Sequence, residues 1–429
     1  MRRLLWPLGL AALSCNPSWS QTPDSRQMLP FAEPIQVDFE GAAAPAALTL
    51  EAALAMALQA NPGLSAAGRE LAAMQAGLVQ ARALPNPAIA VEIEDQRTRT
   101  RTSRLLINQP VELGGKRAAR VAAADQGQAV ADTALRAETA EVRALVRAAF
   151  VDVLIAREGV QLATSNAELA RRAREATDRL VRAGKVSPIE VTRAEVGEAT
   201  ARIALSAAAR DQAAARQRLA VALGRSDLDG LEPIGDARLL PTLPLPAELR
   251  RRLEAAPRWH EAQVELDRRA ALLEIERRRR TPDVTLSLGA QRDNELNLDQ
   301  AVFGMSVPIP LFDRNRGNLE EAAARALKAR DEQRAAQLDL AAALDEAIGR
   351  DVAARTELDM LARNILPGAQ AAHEAVLKGF ELGKFGFLEL LDAQRTLSAA
   401  RSQELDALRE AHHAAASIER LLGDAANQP

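Results

Sequence analysis

Residues 109–117 read QPVELGGKR and residues 307–318 read VPIPLFDRNRGN, and each stretch joins a strand-like run to a long helical segment. Their prolines, Pro110 and Pro308, lie 198 residues apart. Four further landmark pairs recur at spacings of 195 to 199 residues: Pro62 and Pro257, Pro85 and Pro282, Gly184 and Gly383, and Gly224 and Gly423. A spacing this constant indicates two copies of one structural unit.

Each copy has the same predicted order of elements: a helix, two strands and two long helices. Apolar residues alternate with polar or small residues in the strands, which predicts hairpins with one apolar face. The alternating residues are Ile89, Val91, Ile93, Leu105, Ile107 and Val111 in the first copy, and Val284, Leu286, Leu288, Phe303, Met305, Val307, Ile309 and Leu311 in the second.

The long helical segments are the dominant feature of both copies. Nothing breaks the helical pattern from Gly115 to Ala183, and at 1.5 Å per residue this segment extends on the order of 100 Å. Asn318 to Leu382 gives a similar length, with a kink expected at Pro367. The first of these helices carries a small-residue stripe with a period of about 3.5, which is typical of a coiled-coil seam.

The duplication and the composition divide the 429 residues into segments. Two arginines and a short apolar run give residues 1–20 the pattern of a secretory signal. If Cys15 of the lipobox-like Ala12-Leu13-Ser14-Cys15 is lipidated, the signal ends at residue 14. The remaining segments are an extended N-terminal linker (21–47), the first repeat (48–230), a Pro-rich connector (231–247), the second repeat (248–424) and a C-terminal tail (425–429).

The composition excludes several classes of function. A net charge of −3 with mixed signs provides no basic field for nucleic acid. One cysteine and four scattered histidines (His260, His373, His412 and His413) suit neither a disulfide framework nor a metal site, and we expect no cofactor. No grouping of residues has the context of a catalytic site, so we predict no enzyme.

Two glycine- or arginine-rich stretches also have structural interpretations. Gly114-Gly115-Lys116 lacks the spacing of a phosphate-binding loop, and we expect a flexible joint there with Gly317 as its counterpart. The four consecutive arginines at 277–280 are interpreted as a solvated or headgroup-facing helix end.

Strands of about ten residues match the length of a tilted strand that crosses a bilayer. Four strands are too few to close a barrel, and open sheet edges cannot face lipid, so further copies of the chain must complete it. A trimer gives twelve strands, whereas a dimer gives eight with a filled interior. The Arg- and Glu-rich helices belong in an aqueous compartment. Aromatic residues are only 3% of the chain and Tyr is absent, which departs from the usual aromatic girdle.

These features resemble the TolC-like outer-membrane factor family over residues 48–423. The most specific stretches are LPNP (84–87), QPVELGGKR (109–117) and VPIPLFDRNRGN (307–318), which are similar to the heavy-metal, CzcC-like branch. The resemblance implies a mainly α-helical, internally duplicated chain with two β-hairpins, a homotrimer with a twelve-stranded outer-membrane barrel, and an α-helical barrel in the periplasm. It also implies a periplasmic adaptor, an inner-membrane pump of the resistance-nodulation-division class, and contact with outer-membrane lipid.

The alternatives within and outside this family remain open at the level of sequence. The same fold serves TolC-type exit ducts for drugs or secreted proteins. A periplasmic coiled-coil scaffold or adaptor without a pore is a further alternative, although two helix hairpins and two strand pairs in repeated order favour the channel.

The tips of the two helix hairpins lie at residues 182–188 and 381–387, where a glycine is expected to close each helix in the left-handed conformation. The resemblance implies that these tips form the periplasmic end and dock an adaptor. The docking candidates are Gly184, Lys185, Val186, Gly383, Lys384 and Phe385.

Four charged residues just past the tips are candidates for an aperture. Glu190 and Glu389 are related by the repeat, so a trimer would bring six carboxylates to the mouth of the tube, where they attract cations and repel one another. Ser187 to Glu190 also has the pattern of a capping box, which accounts for Glu190 without a gate. Asp392 and Arg193 are predicted to pair across the mouth.

Overall fold

A computed structural model describes residues 46–382 and 384–423 of the chain. The helices are α1 (Leu50–Ala60), α2 (Pro62–Arg82), α3 (Lys116–Arg182), α4 (Ile189–Ala222), α5 (Pro246–Arg251), α6 (Pro257–Arg279), α7 (Arg316–Met360), α8 (Leu366–Glu381) and α9 (Phe387–Leu422). The strands are β1 (Ala46–Leu48), β2 (Ala88–Glu94), β3 (Thr102–Val111), β4 (Leu231–Pro233), β5 (Val284–Asp293) and β6 (Leu298–Ser306). No helix in these two ranges has the length and apolar character needed to cross a membrane.

The longest helix, α3, has 67 residues and therefore extends about 100 Å, as the sequence predicts. It packs against α4 to form the first helix hairpin, and also against α2, α6 and α9. Small residues along it, among them Ala123, Ala140 and Ala173, are buried, so neighbouring helices approach closely. The near absence of aromatic side chains follows from this close packing.

The corresponding arm of the second repeat is interrupted where the sequence predicts a kink. α7 ends at Met360, a single π-helical turn follows over Leu361–Ile365, and α8 continues from Leu366. Pro367 has no N–H to donate to the preceding turn, and its ring crowds the carbonyl four residues back. A widened turn relieves this conflict, so the interruption is a π-helical turn just before the proline.

A four-stranded antiparallel sheet with the order β2-β3-β5-β6 lies at one end of the long helices. The two predicted hairpins are therefore one sheet, because β3 of the first repeat pairs with β5 of the second from Thr102↔Asp293 to Val111↔Val284. One end of the sheet lies next to the long helices; it holds the last residues of β3 and β6 and the first residues of β2 and β5. The two hairpin turns lie at the opposite end.

The predicted strand pattern in the second repeat continues too far. β6 ends at Ser306, so Val307, Ile309 and Leu311 lie beyond it and do not continue the alternation as strand residues. Pro308 and Pro310 alternate with them, and a proline cannot donate a hydrogen bond to a strand ladder. The ladder stops at Ser306, two residues before the first of these prolines.

The main hydrophobic core lies around the middle of α3, where the chain between the repeats crosses it. β1 pairs in parallel with β4, and Leu48, Phe150 and Leu219 are buried in one cluster with residues of α1, α4 and α9. A second cluster holds α5, α7 and the end of α9 together. The two cores join the middle of α3 and the later part of α7 to the ends of α4 and α9, and they include no residue of the tips or of the four-stranded sheet.

Candidate functional site

The two faces of the four-stranded sheet differ in polarity. Cross-strand pairs such as Ile107↔Leu288 and Leu288↔Phe303 place the apolar side chains together on one face. These side chains are exposed in the single chain, and Phe303 is 79% exposed. They are Ile89, Val91, Ile93, Leu105, Ile107, Leu286, Leu288, Phe303 and Met305. A covering environment of low polarity is needed for this face.

The polar side chains of the sheet lie on the opposite face. Arg104 of β3 lies in one row with Glu92, Gln291 and Gln300. Its guanidinium donates to Gln291 Oε1 at 2.9 and 3.0 Å and to Glu92 Oε2 at 2.8 Å. The adjacent row carries the apolar Leu106 and Val302. One row further, Asn108 and Ser287 are hydrogen bonded to each other. Side chains of this kind suit contact with water.

The sheet also has two open edges. In the part of the chain that the structure describes, β2 pairs with β3 alone and β6 pairs with β5 alone. The outer edges of β2 and β6 therefore present unpaired backbone N–H and C=O groups, which are templates for another strand.

The tip of the first helix hairpin is closed by glycine. Gly184 has φ +67°, as predicted, and its N–H donates to Val181 O at 2.9 Å while Lys185 N–H donates to Leu180 O at 2.9 Å. This pair of bonds is a Schellman motif. Lys185 and Val186 follow it on the exposed surface.

The second tip repeats the closing bond. Lys384 N–H donates to Gly379 O at 2.8 Å, which corresponds to the Lys185 bond at a spacing of 199 residues. Gly383 lies outside the described residues. The ring of Phe385 folds back onto the end of α8, where a Cβ at Gly379 would clash with it. Lys384 and Phe385 are nevertheless exposed, with 46% of Phe385 accessible.

The aperture candidate Glu190 does not form the predicted capping box. Pro188 occupies the N-cap position of α4 rather than the first helical position, and no side chain caps this helix. Glu190 N–H donates instead to the backbone carbonyl of Ser187. The Glu190 carboxylate is thereby free to accept from Arg193 Nη1 at 2.9 Å, in an i,i+3 pair.

The corresponding residues of the second repeat are arranged differently. The Glu389 carboxylate lies back against the start of α9, 2.7 Å from where a Cβ at Gly386 would stand. Asp392 is exposed and has no ion-pair partner among the described residues of this chain. The chain itself pairs Arg193 with Glu190, so pairing of Arg193 with Asp392 stays a prediction for contacts between chains.

A family model described as outer membrane efflux protein matches residues 53–225 and 249–424. The chain belongs to this family. It is accordingly an outer-membrane transport protein and not an enzyme. Cys15, the lipidation candidate, lies outside the described residues, as does the signal segment.

Individual relatives agree with this assignment. The cobalt-zinc-cadmium resistance protein CzcC of Cupriavidus metallidurans is 43% identical over 99% of this chain and 100% of its own length. Among solved structures, a membrane protein from Pseudomonas aeruginosa has a TM-score of 0.76 at 21% identity, covering 87% of this chain and 90% of that one. The outer membrane protein VceC of Vibrio cholerae has a TM-score of 0.74 at 18% identity, covering 87% and 96%. These two likenesses support the fold.

The passage from β3 into α3, where the glycines suggest a flexible joint, contacts the second repeat closely. Gly114 and Gly115 both have positive φ, and a Cβ at Gly114 would lie 2.8 Å from Thr281. Asp283 of the second repeat accepts from Leu113 N–H at 3.1 Å and pairs with Lys116 Nζ at 2.8 Å. The two repeats therefore hold this joint together.

The counterpart of this joint in the second repeat is Asn315, not Gly317. Asn315 has φ +55° and is the N-cap residue of α7, whereas Gly317 lies inside the helix without positive φ. The Asn315 side chain donates to the backbone and side-chain oxygens of Glu276 at 3.0 and 2.8 Å. An asparagine tolerates the left-handed conformation because its short polar side chain bonds locally.

The adjacent histidines of α9 both make hydrogen bonds. His412 Nε2 lies 2.8 Å from Ala237 O and His413 Nε2 lies 2.9 Å from Asp152 Oδ1. Burial lowers the pKa of His412, with smaller effects from its hydrogen bond, His413 and Arg355. No group of three His, Cys, Asp or Glu side chains within 46–382 and 384–423 is arranged to hold a metal ion.

Proposed function

We propose that this chain is the exit duct of a tripartite efflux system and that three copies form it. The observation that carries the proposal is the four-stranded sheet with two unpaired edges and one exposed apolar face. Pairing of β6 with β2 of the next copy removes every edge when the ring closes. Three copies give twelve strands, and a barrel of that size has room for a water-filled lumen.

The polarity of the sheet sets its orientation in such a barrel. The face with Ile107, Leu288 and Phe303 turns to lipid, and the face with Arg104 and Asn108 turns to the lumen. The long helices, which carry many arginine and glutamate residues, continue the duct through the periplasm as a helical barrel.

The helix-hairpin tips are the docking sites for a periplasmic adaptor in this proposal. Lys185, Val186, Lys384 and Phe385 are exposed at the tips, and each tip offers one cation beside one apolar side chain. Such a pair suits an adaptor helix with both an apolar position and a carboxylate.

The aperture is proposed to lie one turn beyond the tips. Glu190 and Glu389 from three copies form a group of six carboxylates, whose mutual repulsion favours opening and whose field favours cations. Asp392 of one copy pairs with Arg193 of the next in the closed state, in competition with the Glu190–Arg193 contact inside each chain.

Heavy-metal cations are the proposed substrate, moved by an inner-membrane pump of the resistance-nodulation-division class. This proposal is supported by the 43% identity to a full-length relative named for resistance to cobalt, zinc and cadmium. The duct is passive, and the pump selects the cation.

Gene deletion and complementation test the proposal. Loss of the gene should lower the tolerated concentration of Co²⁺, Zn²⁺ or Cd²⁺ several-fold, and the intact gene should restore it. Sensitivity to organic drugs alone would replace the metal duct with a drug duct, and loss of protein secretion would indicate a secretion duct. Recovery of the protein as a soluble monomer would instead support a scaffold without a pore.

A matched pair of variants tests the docking site separately. Lys185→Glu combined with Lys384→Glu should abolish adaptor crosslinking and metal tolerance while the outer-membrane trimer persists. Lys328→Glu, an exposed lysine of α7 far from the tips in sequence, is the control and should retain both. Equal loss in the control would refute docking at the tips.

A further inference from the structure

The segment that follows β6 is apolar and unusually exposed. Residues 307–312 read VPIPLF; Ile309 is 76% exposed, Leu311 is 63% exposed and Phe312 is 99% exposed. We name these six residues the apolar loop. In the chain as described, no element of the fold covers Phe312.

The apolar loop lies where the lipid-facing surface of the sheet ends. β6 ends at the end of the sheet next to the long helices. Its residues Phe303 and Met305 lie on the exposed apolar face. The loop thus extends the apolar surface to the level at which the strands give way to Arg-rich helices. At this level a membrane protein meets the lipid headgroups.

A cluster of arginines lies beside the apolar loop. Arg279, Arg280 and Arg314 line a cleft of about 380 Å³ together with Pro310, Asp313 and Asn315. Two segments distant in sequence, the end of α6 and the residues before α7, therefore both contribute arginines to this cleft. We name this the arginine cleft.

The ion pairs around the arginine cleft leave two of these groups without a carboxylate partner. Arg277 and Arg278 pair with Glu274, and Arg279 pairs with Glu276. Arg280 and Arg314 have no ion-pair partner in the described part of the chain. The nearby Asp313 carboxylate accepts from Asn315 N–H at 2.9 Å, and it offsets only one of the two charges.

We infer that the arginine cleft binds the phosphate of an anionic phospholipid in the periplasm-facing leaflet of the outer membrane. The apolar loop inserts beside that lipid, with Phe312 among the acyl chains. Guanidinium groups bind phosphate oxygens in a forked geometry, and an arginine at a membrane interface keeps its head in the polar layer. The inference rests on the outer-membrane location and not on the metal substrate.

The first repeat has no such site, which makes the feature specific to the second. The residues that correspond to 277–280 are Gln80, Ala81, Arg82 and Ala83. The first repeat continues from Pro110 with Val111, Glu112 and Leu113, where the second has the apolar loop. The cluster of cations and the exposed phenylalanine occur together in one repeat only.

The inference also accounts for the missing aromatic girdle. The chain contains no Tyr, and girdle aromatics normally hold a membrane protein at a fixed depth. A phenylalanine in the acyl region and two arginines on the headgroups provide the same restraint.

Lipid binding to the intact, detergent-solubilised protein is the direct test. Native mass spectrometry with phosphatidylglycerol and phosphatidylcholine should show preferential retention of phosphatidylglycerol by the unmodified protein. Arg280→Gln combined with Arg314→Gln should reduce that retention at least five-fold. Arg316→Gln combined with Arg325→Gln, which removes two exposed arginines paired with Glu320 and Glu321, should leave it unchanged.

Two further arms complete the test. Inorganic phosphate at a concentration far above that of the lipid should displace little phosphatidylglycerol, because the apolar loop also holds the acyl chains. Phe312→Ser changes an exposed side chain and is expected to leave the fold intact. It should weaken retention of phosphatidylglycerol several-fold without changing the binding of inorganic phosphate. Equal retention of both lipids, equal loss in the control, or full displacement by phosphate would overturn the inference.

Discussion

The two passages from strand to helix are built from corresponding stretches of the repeats, yet one is closed and the other open. In the first, Arg120 pairs with Glu112 through two bonds of 2.5 and 3.0 Å and also donates to the carbonyls of Ala81 and Ala83. In the second, Arg280 and Arg314 face outward, and the apolar loop is uncovered.

The difference shows how a duplicated chain divides its tasks. The closed junction holds β3, α2 and α3 together and, through Asp283, also fixes the second repeat. The other junction is held by the Asn315 bonds to Glu276, and Arg280 and Arg314 have no ion-pair partner in the described part of the chain. Its arginines and its phenylalanine can then face the surroundings of the protein.

The largest expected effect comes from the glycine of the closed junction. Gly114→Ala places a Cβ 2.8 Å from Thr281 at a positive φ, and it should destabilise the fold by about 3 kcal/mol through strain and crowding. The heat stability of the detergent-solubilised protein measures this. Gly317→Ala, with open space around it and no positive φ, is the control; equal stability of the two variants would contradict the contrast between the junctions.

Removal of the central arginine of the closed junction should have the next largest effect. Arg120→Ala leaves Glu112 and two backbone carbonyls without their donor, at a cost of about 2 kcal/mol. Denaturant titration of the purified protein reports the loss. Arg316→Ala at the open junction removes an exposed i,i+4 pair and should cost less than about 0.5 kcal/mol, so a similar loss there would show that both junctions carry equal weight.

The same pair makes the closed junction sensitive to acid. The hydrogen bond from Arg120 lowers the pKa of Glu112 below its ordinary value of 4.5. The stabilisation that the Arg120–Glu112 pair provides is therefore fully present above pH 4.5. It is lost as the pH falls through the lower pKa that Glu112 has in the folded protein. Thermal melts between pH 6 and 3 should show a steeper loss for the unmodified protein than for Arg120→Ala; parallel curves would contradict this origin.

A smaller effect is expected where the repeats differ on their last helices. His412 and His413 of α9 correspond to Ala213 and Ala214 of α4 at a spacing of 199 residues. Burial lowers the pKa of His412 in the folded protein. As the pH falls, His412 is therefore protonated in the unfolded chain before it is protonated in the folded one. The stability of the fold should decline below about pH 6.5.

The variant His412→Gln tests this contribution. It keeps a donor for Ala237 O and removes the titration, so its stability should change less between pH 7 and 5.5 than that of the unmodified protein. His373→Gln is the control at another histidine. An unchanged pH profile in His412→Gln would exclude His412 as the source.

The repeat pattern predicted most of the fold, because prolines and glycines near the ends of elements recur at a constant spacing in both copies. It predicted the length of α3 and the left-handed Gly184, which depend on local chemistry. It did not predict the pairing of β3 with β5, since alternation defines the faces of a strand but not its neighbour. It also extended β6 through Val307, Ile309 and Leu311, although the ladder ends at Ser306.

The candidate sites were less predictable, since they depend on contacts between distant residues. The capping-box pattern at Ser187 is correct in sequence, but the helix starts one residue later than the pattern requires. The burial of His412 beneath the connector carries no local signal. The arginine run at 277–280 was visible, but its meeting with Arg314 requires the fold.

The seam between β3 and β5 has a consequence for assembly. It makes inside one polypeptide a strand pairing that two half-length chains would have to find by diffusion, and tethering replaces that encounter with a high effective concentration. A ring of given size then forms from half as many separate molecules. Fewer strand edges are unpaired before assembly, which reduces mispairing and aggregation before the protein reaches the membrane.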